Sequence, residues 1–461
     1  MCQQRMTDTG KYHFFRYGGL NILLDVPTGA VHLLDDTAAK VLPAFVQDRD
    51  RDSLAELVPA QELPAAQRAW DQLQDLVDRG LFLGPEPVFA RRPGGGELKA
   101  MCLHVAHDCD LRCRYCFASA GSFGGSRSLM DAETARAAVD FLLSSAAAVY
   151  ELDFFGGEPL LNLDVVEATA AYARERAAAL GKRINLTLTT NAYSLAEDAR
   201  RRLLDLDLDI VLSHDGREAV HNAMRPTAGG GESYSQVTRN ILAMAPLLEE
   251  RYYVRGTYTA HNLDFVEDIR HWLDLGLKRM SMEPVVAPPW AAMALKEEDL
   301  PRLRSQYWQL AELCLQQPFT FFHFIIDWER GQCGARRAAG CGAGVEYVAV
   351  APGGDIYPCH QFVGQRRWRM GTVFVGITEP ALREEFLHVG IADKSRCRQC
   401  WARYHCGGGC HANAWWANSD LRQPYALGCE LLKIRTEAAL YVKVRQALNQ
   451  YSCEGDVHGQ A

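Results

Sequence analysis

Residues 102–118 read CLHVAHDCDLRCRYCFA. The first six residues form a short apolar run suited to a buried strand. The remainder is a loop that sets Cys109, Cys113 and Cys116 in a C-x3-C-x2-C array. Three thiolates so spaced can hold three irons of a four-iron cluster and leave the fourth iron open to a ligand. His104, His107 and Asp108 stand close in sequence, so on these residues alone a zinc site or a reactive thiol cluster stays open as well.

Towards the C-terminus, five more strand-like runs follow: YELDFF (150–155), INLTLTT (184–190), DIVLS (209–213), YVRGTYT (253–259) and RMSMEPV (279–285). Helical patterns such as AETARAAVDFLLSSA and DVVEATAAYARERAAAL separate them. Six βα units predict an α/β fold with a parallel sheet and right-handed crossovers, a partial (β/α)6 barrel over residues 98–326 with one open side. Ligands of such folds sit at the C-terminal ends of the strands. The polar motifs fall there: Gly156-Gly157-Glu158-Pro159 after the second strand, Thr190-Asn191 after the third, Ser213-His214-Asp215-Gly216 after the fourth. Arg255 lies on the fifth strand and Glu283 on the sixth. Taken singly, each could be no more than a strand-end cap.

Before the barrel, residues 11–90 contain three short strands (YHFFRY, LNILLDV, AVHLLD) and helical patterns at 36–46 and 64–80. The stretch RRPGGGE, 91–97, reads as a linker, giving a first domain over 1–92. After the barrel, residues 333–430 lose periodicity and are rich in Gly, Cys and aromatic residues. Such a segment is expected to build little apolar core and to be stapled by metal. Helical periodicity returns from Leu427 to Leu448, completing a third domain over 333–450. This region holds a second array, Cys341, Cys359, Cys397, Cys400, Cys406, Cys410 and Cys429, with Cys333 eight residues before its first member. A zinc ribbon on Cys397, Cys400, Cys406 and Cys410 is the simpler alternative.

Composition narrows the class. Ten of the 15 cysteines of this 461-residue chain fall in the two arrays. No run approaches the roughly 18 apolar residues of a membrane span, and MCQQRMTDTG is not a secretory segment. A cytoplasmic protein with reduced thiols and no membrane partner is expected, so the cysteines read as metal ligands rather than disulfides. The net charge of −8 argues against a nucleic-acid partner.

Cys109-x3-Cys113-x-Tyr115-Cys116 resembles the signature of the radical S-adenosylmethionine (SAM) enzymes. The resemblance implies that the open iron chelates SAM, and that one-electron cleavage yields a 5′-deoxyadenosyl radical that abstracts hydrogen from carbon. The cofactor carries that chemistry and the protein orients it. Gly156-Gly157-Glu158-Pro159 is similar to the family's GGEP, which holds the SAM amino group. Ser213, Asp215 and Arg255 then become candidates for the SAM carboxylate and ribose, with Tyr115 beside the cluster. The second array resembles the SPASM auxiliary-cluster domain of peptide-modifying members. That likeness implies Cys341, Cys359 and Cys410 on one cluster and Cys397, Cys400, Cys406 and Cys429 on another, three [4Fe-4S] clusters in all. The first auxiliary cluster is then one ligand short, to be completed by Cys333 or by a substrate thiolate.

Residues 11–90 resemble a winged-helix-like recognition element for precursor-peptide leaders, which commonly add a strand to its sheet. The alternative is a DNA-binding winged helix; nine basic and twelve acidic residues over 11–92 disfavour it. Across nearly the whole chain, strings such as GGLNILLDVPTGAVHLLDD, LHVAHDCDLRCRYCFA, FTFFHFIID, YPCHQFVG and CGGGCHANA resemble the SCIFF peptide maturases. These crosslink a cysteine sulfur to carbon in a Cys-rich precursor peptide. The resemblance implies an oxidoreductase served by a reductant such as flavodoxin or ferredoxin. His214 departs from it, standing where the family more often has Leu. An anaerobic sulfatase-maturing enzyme shares both arrays but needs no leader-binding module. A non-catalytic iron–sulfur carrier would need no SAM pocket.

Overall fold

The computed structural model describes residues 10–47, 49–88, 96–326, 338 and 340–457, with side chains to residue 450. Cys333 lies outside the described residues. The chain opens with an antiparallel sheet of β1 (Tyr12–Tyr17), β2 (Leu20–Asp25) and β3 (Val31–Leu34), in that spatial order. The Gly18-Gly19 turn, both residues with positive φ, closes the first hairpin. The helix Asp36–Phe45 starts at Asp35, whose side chain accepts from Ala38 N at 2.7 Å. The helix Leu63–Asp78 buries Ala66, Ala69, Trp70 and Leu73, the i, i+3, i+4, i+7 stripe of one face.

Both faces of this small sheet are covered. Tyr12, Phe14 and Leu23 pack under its own helices. Phe15, Ile22 and Leu24 join the core of the main body. Tyr17 stacks on Trp308 at 3.8 Å between ring centroids. This double burial explains the apolar run Ile22-Leu23-Leu24, and each such side chain contributes about 1.5–3 kcal/mol.

The central sheet carries six parallel strands: β4 (Ala100–Ala106), β5 (Val149–Gly156), β6 (Arg183–Thr190), β7 (Asp209–Ser213), β8 (Tyr252–Tyr258) and β9 (Arg279–Pro284). All six coincide with the expected runs to within two residues at either end. The register places Leu152, Leu186, Ile210 and Val254 on the helix-covered face. Asp153, Thr187 and Arg255 fall on the other face, which lines the barrel interior. The sheet does not stop at six strands. β10 (Thr320–Phe321) continues it in parallel beyond β9, and β11 (Tyr347–Val350) adds in parallel to the other edge, beside β4. From β11 an antiparallel ladder runs through β12 (Asp355–Tyr357), β13 (Gly371–Thr372) and β14 (Gly376–Ile377).

The Cys-rich segment is therefore built onto the barrel sheet, and the expectation of little apolar core there is corrected. Phe362, Trp368, Phe386, Val389 and Leu421 pack with Ala349 of β11 and Cys102 of β4 in a core of their own. Aromatic bulk supplies in a few residues what periodic elements supply elsewhere. The helix Ala426–Val457 closes the molecule against the helix Leu300–Gln316. Tyr441 donates to Glu312 at 3.0 Å, and Arg304 donates to the buried Glu437 at 2.6 Å. No described helix is long and apolar enough to cross a membrane.

Candidate active site

β4 ends at Ala106 and delivers the chain into the cysteine loop. That loop is strapped to residues 224–228 by backbone bonds: Arg114 N to Met224 O (2.8 Å), Arg112 N to Pro226 O (2.7 Å) and Ala228 N to Asp110 O (2.8 Å). The strap brings Arg225 beneath Cys113. Cys109, Cys113, Cys116, Gly156, Gly157, Thr190, Asn191, Ser213 and Arg225 line one cleft at the C-terminal ends of the strands, floored by Phe155 and flanked by Phe117.

The glycines of the GGEP stretch permit this convergence. A Cβ on Gly156, at φ +135°, would lie 2.2 Å from Ala106 O, and one on Gly157 would lie 2.1 Å from Asp108 O. Only glycine lets the end of β5 lie so close to the cysteine loop. Glu158 and Pro159 do not line the cleft. The Glu158 carboxyl is fully buried and accepts from Thr190 Oγ1 (2.7 Å), Asn191 N (2.7 Å) and Leu160 N (3.0 Å). Burial first, and the neighbouring Asp110 second, raise its pKa to about 8. Glu158 thus fixes the loop after β6. Asn191 Nδ2 from that loop lies 3.5 Å from Cys109 Sγ and donates to Asp110 Oδ1 at 2.7 Å.

Of the other candidates, Ser213 lines the cleft. Asp215 lies beneath it, wholly buried: it accepts from Tyr115 Oη at 2.6 Å, Thr257 N at 3.1 Å and Arg225 Nη1 at 3.4 Å. Arg225 also donates to Tyr115 Oη at 3.0 Å, while its Nε has no partner among the described residues. Tyr115 and Asp215 therefore act on the cleft through Arg225. Arg255, opposite Ser213 in the register, is exposed to the barrel interior and acts electrostatically on Asp153 and Glu283. Glu283 is engaged by His323. Arg225 was not anticipated from sequence; only the cross-loop strap reveals it.

The described residues contain no trio of His, Cys, Asp or Glu placed to hold a single metal ion. The thiols do gather in three groups. Burial first, and then the charges of neighbours, raise Cys109 and Cys113, the latter to about 11 even with Arg225 opposing. Cys359 is raised by burial and then by Cys410 and Cys341. Cys429 is raised to about 12 by burial and then by Cys406, Cys397 and Cys400. Thiols crowded in dry surroundings repel one another once ionised, and a cationic iron–sulfur core relieves that repulsion. The donor sets fit such clusters in kind.

Residues 103–281 match the family model of the Radical SAM superfamily. The chain is 24% identical over 325 residues to the cysteine-type anaerobic sulfatase-maturating enzyme of Clostridium perfringens, covering 66% of this chain and 85% of that one. It spans only 62% of another curated relative, itself uncharacterized. Among solved structures, native anSMEcpe with bound AdoMet superposes with a TM-score of 0.64 at 21% identity, over 76% of this chain and 99% of that chain. Streptococcus suis SuiB bound to precursor peptide SuiA superposes with a TM-score of 0.52 at 15% identity, over 92% of this chain and 100% of that chain.

Proposed function

We propose that this chain is a radical SAM enzyme that matures a ribosomally made, Cys-rich precursor peptide by joining cysteine sulfur to carbon. The observation that carries the reading is a groove of about 440 Å³ in the N-terminal module. It runs between β3, an edge strand, and the helix Leu63–Asp78, and is lined by Leu33, Leu34, Leu73 and Leu76 together with the polar His32, Asp35 and Gln72. An unpaired edge beside a groove of mixed polar and apolar lining suits an added peptide strand. A peptide-binding module on the same chain as a SAM cleft is what a leader-guided maturase requires. The likeness to SuiB, whose structure holds a precursor peptide, agrees with this. The likeness to the sulfatase-maturating enzyme favours a second reading, oxidation of a cysteine side chain to formylglycine, for which the groove has no role.

In this reading Cys109, Cys113 and Cys116 hold the SAM-binding cluster, and the seven later cysteines hold two more, with Cys333 or a substrate thiolate completing the first of these. When bound, these groups supply a carbon-centred radical that takes hydrogen and acceptors for the electron left over. The chain's own residues do the rest. Arg225 meets the SAM carboxylate, and Tyr115 and Asp215 fix its guanidinium. Phe117 and Phe155 keep water from the cleft. Forming one C–S bond breaks one C–H and one S–H, so a proton must also leave. Asp153 faces the interior, with Thr187 Oγ1 donating to its Oδ1 at 2.8 Å, and burial raises it to about 6, suited to taking that proton.

Anaerobic reaction of the reconstituted enzyme with a Cys-rich peptide, with and without its leader, tests the proposal by mass spectrometry. A loss of one pair of hydrogens per bond and a thioether in the fragments are expected. Formylglycine on a sulfatase peptide, with the Cys-rich peptide unchanged, would select the second reading. Iron content should be about 12 per chain, falling to about 8 in Cys113→Ala, which should cleave no SAM.

A further inference from the structure

Lys394 is 1% exposed and ranks among the largest fully buried side chains of the molecule. Lysines are seldom buried to that degree without anionic or acceptor partners. Its Nζ donates to Gly408 O at 2.7 Å and lies 3.4 Å from His411 Nδ1. Gly408 stands between Cys406 and Cys410, with φ +95°, a conformation that turns its carbonyl to the ammonium at little cost. The Lys394 carbonyl accepts from Cys397 N at 3.0 Å and Arg398 N at 3.1 Å. The ammonium is coupled electrostatically to Cys397 and Cys406 and also to Cys341 and Cys410. Those pairs belong to the two separate cysteine groups of the second array. One buried cation thus faces both.

We propose that Lys394 is the shared counter-charge of the two cysteine groups: it ties the loops carrying them at a fixed separation and raises the reduction potentials of both clusters together. The inference rests on the reading that these groups bind iron–sulfur clusters. A thiolate-bound cluster is anionic and becomes more so on reduction. A cation held close to it in a dry interior favours the reduced state, and net charge and hydrogen bonding are recognised controls of cluster potential. A cation beside only one group would separate the two potentials; a shared one moves both in the same direction. Lys394 is a positioning residue, so its signature is a potential and not a rate.

The test uses the full chain with Cys109, Cys113 and Cys116 replaced by Ala, so that only the second array binds iron. Lys394→Gln and Lys394→Arg are compared with this parent by iron content and by redox titration followed by electron paramagnetic resonance. In Lys394→Gln both midpoints should move to more negative potential with iron retained, and Lys394→Arg should return both towards the parent. Iron lost from the Gln variant and kept in the Arg variant also supports the charge role. Unmoved midpoints, a shift of one midpoint alone, or iron lost from both variants would overturn it. Absence of iron from the parent itself overturns the cluster reading, and this inference with it.

Discussion

His13 lies flat against Trp401, with ring centroids 3.7 Å apart and planes 3° from parallel. His13 Nε2 also lies 3.1 Å from Glu437 Oε1, on the long C-terminal helix. Trp401 directly follows Cys400. Three parts distant in sequence, β1, the second cysteine array and the terminal helix, therefore meet at one buried point. Nearby, Arg403 reaches Gly10 O and Glu86, and Tyr404 donates to Glu86 at 3.0 Å. The N-terminal module is seated on the cysteine loop rather than tethered to it.

His13→Ala removes the stack and one partner of Glu437, which is 2% exposed. Burial works to raise this carboxyl, and the bonds from His13 and Arg304 more than offset it, so it lies below the usual range. Leaving it half-satisfied should cost about 1–3 kcal/mol. Guanidinium unfolding measures the loss. A midpoint equal to that of the parent would show that the stack does not hold the module.

Arg225→Gln should weaken SAM binding at least about tenfold, equivalent to about 1.4 kcal/mol, because a charged partner of a carboxylate is lost from a dry cleft. Arg225→Lys should recover part of this, since the ammonium cannot engage both Tyr115 and a carboxylate in the guanidinium's fork geometry. Anaerobic equilibrium dialysis reads both variants. Undiminished affinity in Arg225→Gln would place the carboxylate elsewhere, with Ser213 the next candidate.

The six barrel strands were legible because each alternates or runs apolar over five to eight residues. β10 and β11 were not. Two or four residues carry no period, and β11 earns its place only by pairing with β4, more than 240 residues away. The site divides in the same way. Cysteine spacing marks the thiols, and glycines at strand ends mark the cleft wall. Arg225, Asp153 and Lys394 gain meaning only from what the fold lays beside them. Glu158 shows the converse, a residue marked by its motif whose carboxyl supports the neighbouring loop.

His214 gives a pH signature. Its Nδ1 accepts from Trp272 Nε1 at 2.9 Å and from Gly216 N at 3.0 Å, so that nitrogen must stay unprotonated. Burial first, then Arg225, lower its pKa from 6.5 to about 3. The unfolded chain takes up the proton near pH 6.5 and the folded chain does not, so this contribution is complete above pH 6.5. It falls as the pH drops from there towards 3, by about 1.4 kcal/mol per unit. Urea midpoints from pH 7.5 to 5 should decline, and His214→Leu should flatten the slope by one group's share. An unchanged slope in that variant would mean that other groups carry the acid limb.

The groove beside β3 yields the prediction closest to function. Leu33 is 46% exposed and lines it, so Leu33→Asp should alter folding stability by no more than about 0.5 kcal/mol. A leader laid along the β3 edge would still find backbone partners but would meet a carboxylate where its apolar side chain packs. Leader affinity should fall at least about tenfold, while a core peptide lacking the leader should bind parent and variant alike. Fluorescence anisotropy of the two labelled peptides separates the cases. Equal loss for both peptides would mean that the substitution acts on the body of the enzyme and not on the groove. No loss for either would move leader recognition away from β3, leaving oxidation of a sulfatase cysteine as the reading with fewer unmet requirements.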